Sequence, residues 1–225
     1  RSSDLEISAM MHPGESAKRI AKHLGIETEP IVVCNACVSG LSALILAERL
    51  LTQKFYDYAI VTGADVLSRF VISGFQSFKS MDANPCRPYD IERLGMNLGE
   101  AAATMILAGE PTGQQDGWTL LQGTIRNDAH HISTPSNKGE GAYRAMVPLL
   151  QQVNKDELAL VNAHGTATMF MDQMEAVALD RAGLSDIPVN SYKGYFGHTL
   201  GAAGVLETIL TMHALDDHTI LGTIS

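Results

Sequence analysis

Short apolar runs alternate with amphipathic helical segments along this chain. The runs lie at 31–33, 58–62, 101–108, 118–125, 158–163 and 187–191. The run at 58–62 lacks apolar–polar alternation, which predicts a strand buried on both faces, and 101–108 and 158–163 are interpreted as further buried strands. The run at 118–125 does alternate. Buried strands followed by helices predict an α/β fold that contains parallel strands.

Three of the predicted strands end in residues that can do chemistry. The run at 31–33 leads to Cys37, 158–163 leads directly to His164, and 187–191 leads to His198. Ligands bind at the carboxyl ends of the strands in open α/β sheets. We therefore expect Cys37, His164 and His198 to converge on one face of the fold.

Cys37 is the candidate nucleophile because a helix is predicted to begin at this residue. The unpaired N–H groups and partial positive charge of a helix N-terminus favour thiolate over thiol, so we expect a lowered pKa. A buried, unreactive cysteine is the alternative interpretation. The spacing of Cys34 and Cys37 also fits a thiol redox site or half of a zinc site. No second C-x-x-C pair accompanies it, which argues against structural zinc.

Composition narrows the functional classes. The chain has 225 residues and a net charge of −9, which argues against general nucleic-acid binding. No apolar run approaches the roughly 20 residues that span a bilayer, and no signal peptide is evident. The three cysteines suggest a reducing compartment. Because the sequence begins with Arg1 and not with Met, we expect the true N-terminus to lie outside it.

Four segments together resemble one family. They are Asn35-Ala36-Cys37-Val38-Ser39-Gly40, then Arg87-Pro88-Tyr89-Asp90 with Gly99-Glu100, then Val161-Asn162-Ala163-His164-Gly165-Thr166-Ala167-Thr168, and finally Lys193 with Gly197-His198-Thr199-Leu200-Gly201-Ala202-Ala203-Gly204. In this order they resemble the nucleophile motif, the middle segment, the first histidine motif, and the lysine and second histidine motif of β-ketoacyl-ACP synthases. These are condensing enzymes of the thiolase superfamily.

The resemblance implies a fold and a reaction. The fold would be the thiolase-like duplicated αβαβα layered fold, with N- and C-terminal parts missing from this chain. Residues 1–108 would hold the remainder of the N-terminal half with the nucleophile and the start of the C-terminal half, and residues 109–225 the C-terminal half with both histidines. The implied reaction is a decarboxylative Claisen condensation with malonyl-ACP. The protein would be a cytoplasmic homodimer that binds acyl carrier protein, with no membrane segment, metal or cofactor beyond the 4'-phosphopantetheine of the carrier.

The resemblance also implies a role for each site residue. Cys37 would carry the acyl group, while His164 and His198 would donate hydrogen bonds to the enolate. Lys193 would support the site electrostatically with Glu175 as its partner, and Asp172 would be a second supporting carboxylate. Thr166 and Thr168 would contact the pantetheine arm, and Lys79 would dock the carrier protein. Met169-Phe170-Met171 departs from the family's Pro/Gly-containing turn, which could reshape the pantetheine entrance.

Three alternatives to a fatty acid synthase remain open at this stage. A ketosynthase of a specialised polyketide or polyene pathway would keep the same fold and motifs, because the acyl pocket depends on shape. A non-catalytic chain-length partner of a heterodimer usually lacks the nucleophile, whereas Cys37 is present. A thiol redox protein would use Cys34 and Cys37.

Overall fold

The chain forms two compact units, residues 1–34 and 35–225. The structure, a computed structural model, describes residues 12–110, 117–131 and 134–224. In the first unit, helix α1 (Pro13–His23) begins with proline, whose fixed φ suits a first helical position. Glu15 in its first turn and Lys22 in its last turn complement the helix dipole.

The second unit contains the other helices and strands of the described residues. They are α2 (Ser39–Thr52), β1 (Tyr58–Asp65), α3 (Arg69–Ser77), β2 (Ala101–Ala108), α4 (Glu140–Leu150), β3 (Val161–Asn162), α5 (Met169–Arg181), β4 (Val189–Asn190), α6 (Lys193–Phe196) and α7 (Ala203–Asp216). Short 3₁₀ turns lie at Lys155–Glu157 and Leu200–Ala202. Within the described ranges, no helix combines the length and the apolar character needed to cross a membrane.

The strands form two separate pairs. β1 and β2 are antiparallel, with Tyr58 opposite Ala108 and Asp65 opposite Ala101. β3 and β4 are parallel and join Val161 to Val189 and Asn162 to Asn190. The prediction of parallel strands therefore holds for β3 and β4 but not for β1 and β2.

The prediction that 58–62 is buried on both faces is wrong. Tyr58 is 63% exposed and Ile60 42%, whereas Val61 between Ile60 and Thr62 is buried. Side chains alternate along β1 because an antiparallel pair can pack one face on the core and leave the other in solvent. The buried face packs on α2 and α7, in a core of Leu44, Ala47, Val61, Ala103 and Val205.

The strands predicted at 31–33 and 118–125 are also absent. Neither segment belongs to a sheet among the described residues, and Ile31, Val32, Trp118 and Leu121 are exposed. Apolar β-type composition supplies a preference, but a strand also needs a hydrogen-bonded neighbour. The predicted strands at 158–163 and 187–191 do form, but each pairs over only two residues.

Glycines let the N-terminal ends of α2 and α7 meet closely. A methyl group at Gly40 would lie 2.9 Å from the Gly201 carbonyl oxygen and 3.0 Å from the Val205 nitrogen. A methyl group at Gly204 would overlap the backbone nitrogen of Leu41. This contact brings the start of α2, just after Cys37, against the turn that follows His198.

We expect Gly204→Ala to lower the free energy of unfolding by about 1–3 kcal/mol, the usual cost of overpacking. Gly74→Ala is the matched control because Gly74 lies in α3 with no atom within 4 Å of its added methyl group, so the better helix former should stabilise by up to about 1 kcal/mol. Urea unfolding of the intact protein measures both. Midpoints that move in the same direction would contradict the packing argument.

Candidate active site

Four of the predicted site residues lie in one cluster: Cys37, His164, Lys193 and His198, called the cysteine–histidine cluster below. The rings of His164 and His198 are 5.1 Å apart between centroids and meet edge to face at 87°. The positive charge of Lys193 lowers the pKa of Cys37, His164 and His198 alike. The two histidines therefore meet, and the Lys193 charge reaches both of them and Cys37, although the strand expected before Cys37 is absent.

A tight, strained turn presents Cys37. Ala36 has a φ of 45°, a left-handed conformation that is uncommon for a residue with a Cβ atom and often marks functional sites. The Ser39 hydroxyl holds the turn, because it donates to the Ala36 carbonyl at 2.6 Å and accepts from the Asn35 N–H at 2.8 Å. Cys37 is left half-buried, two residues before α2 begins.

The prediction of a lowered Cys37 pKa is wrong. Burial raises the pKa of the thiol above its ordinary value of 9.0, and the nearby Asp65 carboxylate raises it further. Lys193 and the Cys37 backbone N–H lower it, but by less than burial raises it. A helix end favours the thiolate, but desolvation of the half-buried thiol outweighs that effect and raises the Cys37 pKa.

Glu175 holds the backbone beside His164 and is not the partner of Lys193. Its two carboxylate oxygens accept from the His164 N–H at 2.8 Å and the Gly165 N–H at 2.9 Å. The Tyr89 hydroxyl also donates to Glu175, at 2.7 Å. The predicted Lys193–Glu175 pair is therefore wrong. α5 aims the Glu175 side chain at the loop after β3, where unpaired backbone N–H groups need acceptors.

Asp172 supports the next part of the same loop. The carboxylate is buried and accepts from the backbone N–H groups of Thr166, Ala167 and Tyr89 at 2.9, 3.1 and 2.8 Å. Arg93 lies 3.6 Å away. Burial raises the Asp172 pKa, although these hydrogen bonds and Arg93 oppose the rise. The predicted supporting role of Asp172 thus has a structural form: it fixes the loop that follows His164.

The buried partner of Lys193 is Glu207, which the sequence analysis missed. The Lys193 ammonium donates to Glu207 Oε1 at 2.8 Å, with side-chain exposures of 2% and 7%. Burial raises the Glu207 pKa even though Lys193 opposes the rise. A sequence signal existed, because Glu207 is the one carboxylate in the segment 203–215, whose other polar residues are Thr208, Thr211 and His213. Lone charges on apolar helix faces are almost always paired.

Both histidines are held in the neutral form. Burial lowers the pKa of His198 to about 2, with further lowering by His164 and Lys193. Burial and Lys193 lower that of His164 to about 4. A neutral imidazole has one N–H donor. Among the described residues, neither ring nitrogen of His198 has a hydrogen-bond partner, so no protein group competes for its donor.

The remaining predicted residues lie outside this cluster. Thr166 is buried and its hydroxyl lies 3.1 Å from that of Thr168. Lys79 is exposed just after α3, with a φ of 52°. Cys34 is a free, exposed thiol. Within the described ranges, no group of three His, Cys, Asp or Glu side chains is arranged to hold a metal ion.

Comparison with known proteins identifies matching families across nearly the whole chain. The family model "Beta-ketoacyl synthase, N-terminal domain" matches residues 7–112. The model "Beta-ketoacyl synthase, C-terminal domain" matches residues 119–225. The chain is 34% identical over 203 residues to 3-oxoacyl-[acyl-carrier-protein] synthase 2 of Rhizobium meliloti strain 1021, covering 83% of this chain and 48% of that protein.

Two further similarities extend this result. The synthase of the same name from Vibrio cholerae serotype O1 is 30% identical over 241 aligned positions, covering 98% of this chain and 58% of the relative. The solved complex of the ketosynthase ApeO with its chain length factor ApeC, from Xenorhabdus doucetiae, contains a chain that superposes with a TM-score of 0.83 at 35% identity over 93% of this chain and 52% of that one. The predicted α/β fold class is confirmed. The chain spans about half the length of these relatives.

The Lys193–Glu207 pair provides a test of the electrostatics. We expect the double variant Lys193→Met, Glu207→Gln to raise the Cys37 pKa further, because the cation that opposes burial is gone. Both partners are replaced because removing one leaves a buried unpaired charge that costs about 3–5 kcal/mol. The rate of Cys37 alkylation by iodoacetamide against pH, followed by mass spectrometry, gives the pKa.

Lys54→Met, Glu110→Gln is the matched control, since that pair is exposed, with Nζ and Oε1 3.3 Å apart. The wild-type midpoint should lie above pH 9.0 and the control should keep it. A double variant at 193 and 207 with an unchanged or lower midpoint would exclude Lys193 as a charge that acts on Cys37.

Proposed function

The chain belongs to the β-ketoacyl synthase family, and on that premise we propose that the protein acts as a 3-oxoacyl-[acyl-carrier-protein] synthase. It would condense an acyl group held on Cys37 with malonyl-ACP. The observation that carries the proposal is a thiol and two neutral imidazoles gathered around one buried cation. Relatives with this printed name support the choice of reaction.

The first half-reaction is transfer of the acyl group to Cys37. The Cys37 thiolate attacks the thioester carbonyl of acyl-ACP, and the pantetheine sulfur leaves and takes up the proton that the thiol lost. A tetrahedral oxyanion forms in between and needs N–H donors aimed at it. The Cys37 backbone N–H is the proposed donor. Because the Cys37 pKa is raised, little thiolate is present at pH 7, so this step should accelerate as the pH increases.

The second half-reaction is decarboxylation and carbon–carbon bond formation. The C–C bond to the malonyl carboxylate breaks, carbon dioxide leaves, and the electron pair forms an enolate at the thioester. Neutral N–H donors from His164 and His198 stabilise the enolate oxygen. The enolate carbon then attacks the acyl-Cys37 carbonyl and the Cys37 sulfur leaves as thiolate. Thr166 and Thr168 would hydrogen bond to the pantetheine arm.

The proposed partners are an acyl carrier protein and a second synthase-type chain. A homodimer in the cytoplasm is the primary proposal. A heterodimer is the second, because ApeO was solved in complex with its chain length factor. In either assembly this chain would be the catalytic member, since it has Cys37 and both histidines. The pathway would be fatty acid synthesis or a related polyketide or polyene route.

We expect His164→Ala and His198→Ala each to slow carbon dioxide release from malonyl-ACP by about 10²–10³-fold, the usual cost of losing one oxyanion donor. Both variants should still acylate Cys37. Intact protein is incubated with acyl-ACP and malonyl-ACP, and carbon dioxide, the acyl-enzyme and the product mass are followed. A wild type that forms no condensation product would overturn the proposed function.

Cys37→Ala is the control that separates the two steps. It should form no acyl-enzyme because the nucleophile is absent. If either histidine variant released carbon dioxide at the wild-type rate, the two imidazoles would not both donate hydrogen bonds to the enolate oxygen. Because His164 and His198 have pKa values of about 4 and about 2, carbon dioxide release by wild type already acylated on Cys37 should not fall as pH drops from 8 to 6.

We expect Lys79→Glu to weaken carrier-protein docking by reversing an exposed positive charge that an acidic carrier would contact. Turnover of a small thioester that needs no carrier should be unchanged. Lys54→Glu is the matched control, since Lys54 is also exposed and also lies outside the cysteine–histidine cluster. KM for acyl-ACP against KM for the small thioester measures the effect. Equal KM values for acyl-ACP in both variants would remove Lys79 from the docking site.

A further inference from the structure

The segment 96–99 joins two parts of the chain that are distant in sequence. On one side Met96 pairs with Met81, where the Met96 N–H donates to the Ser80 carbonyl at 2.8 Å. On the other side Leu98 pairs with His198. The His198 N–H donates to the Asn97 carbonyl at 2.8 Å, and the His198 carbonyl accepts from the Gly99 N–H at 3.0 Å. The backbone of His198 is therefore fixed by this segment.

The Asn97 side chain extends these connections to the loop at 82–86. Its Oδ1 accepts from the Cys86 N–H at 2.6 Å. Its Nδ2 donates to the carbonyls of Asp82 and Asn84, both at 3.0 Å. Both donors and one acceptor site of the amide are thus used within one loop, an arrangement that no apolar side chain of similar size could reproduce.

Cys86 carries the connection on to Lys193. Its side chain is buried, and its thiol donates to the Lys193 carbonyl at 2.9 Å. Burial raises the Cys86 pKa, so the sulfur keeps the proton that this hydrogen bond requires. Lys193 and His198 are five residues apart along the chain, and the path through Cys86 and Asn97 closes that segment into a ring.

We propose that Cys86 and Asn97 are positioning residues that together hold Lys193 and His198 in the geometry needed for decarboxylation. We call this pair the Cys86–Asn97 brace. It fixes the backbone on both sides of the turn formed by α6, so that the Lys193 charge and the His198 ring keep one relative position. The role in decarboxylation rests on the proposed function, but the geometric claim does not.

The brace matters because packing, and no hydrogen bond among the described residues, restrains the His198 ring itself. Neither of its ring nitrogens has a hydrogen-bond partner among the described residues, so the direction of its donor follows from its backbone and from packing. Displacing a reacting group by about 1 Å can cost about 10²-fold in rate. Cys37 is presented by a different turn, held by Ser39 and Asn35. Loss of the brace should therefore slow decarboxylation more than acylation, which Lys193 reaches only through the effect of its charge on the Cys37 pKa.

The test compares four variants of the intact protein. Asn97→Leu keeps the size and removes all three side-chain hydrogen bonds, and we expect it to slow carbon dioxide release from malonyl-ACP by about 10–100-fold. Cys86→Ala should slow it by about 2–10-fold, the worth of one hydrogen bond. Cys86→Ser restores a donor and should recover most of that loss. Cys34→Ala, at an exposed cysteine, should match the wild type. Cys37 acylation is measured in parallel.

A second readout does not depend on activity. Proton NMR of the histidine Cε1–H signals against pH reports the pKa of His198, which is about 2 in the intact site. Loosening the turn in Asn97→Leu should raise it towards the ordinary 6.5 and leave a smaller change at His164. This measurement tests whether the brace positions His198 without relying on activity. It therefore remains informative if the wild type forms no condensation product and the proposed function is wrong.

A merely structural role predicts different results. Asn97→Leu would then slow acylation and decarboxylation by the same factor, in step with a lower urea midpoint, and Cys86→Ser would be no better than Cys86→Ala. Either result, or an unchanged His198 titration in Asn97→Leu, would overturn the proposal.

Discussion

The buried ion pair between Lys193 and Glu207 is the interaction on which the site depends. Burial of the Lys193 ammonium is unfavourable unless a carboxylate compensates for the lost hydration, and Glu207 does so at 2.8 Å. The cation can then act on its neighbours through a medium that screens poorly. For His164 and His198 it adds to the lowering of the pKa by burial, and for Cys37 it opposes the larger rise that burial causes. A lower pKa favours the thiolate of a cysteine and the neutral form of a histidine, and both are the forms that the proposed condensation uses.

The α5 carboxylates of Asp172 and Glu175 have a different role from that of Glu207. Asp172 and Glu175 accept hydrogen bonds from backbone N–H groups of the loop after β3 and from Tyr89. Each N–H would otherwise be buried without a partner, at a cost of about 1–3 kcal/mol. The loop that carries His164 is therefore fixed by anions that stand outside the reaction.

How much the sequence could predict depends on how far apart along the chain the interacting residues lie. The turns that carry Cys37, His164, Lys193 and His198 are local motifs, and the two histidines meet within reach of the Lys193 charge that also acts on Cys37. Partners distant in sequence were harder to predict. Glu207 was missed as the partner of Lys193, and Glu175 was assigned to Lys193 although it binds the loop after β3. No sequence feature pointed to Asn97. Apolar composition at 31–33 and 118–125 predicted strands, but pairing requires a neighbour that composition does not specify. The Cys37 pKa was misjudged because burial depends on the whole fold.

The same burial serves the two proposed half-reactions in opposite ways. Exclusion of water raises the Cys37 pKa and so leaves little thiolate for acylation at pH 7. It also keeps His164 and His198 neutral and strengthens their hydrogen bonds to a developing enolate. A more exposed thiol would acylate more readily in a wetter site that stabilises the enolate less. Lys193 offsets part of this conflict, because its charge favours thiolate without returning water to the histidines.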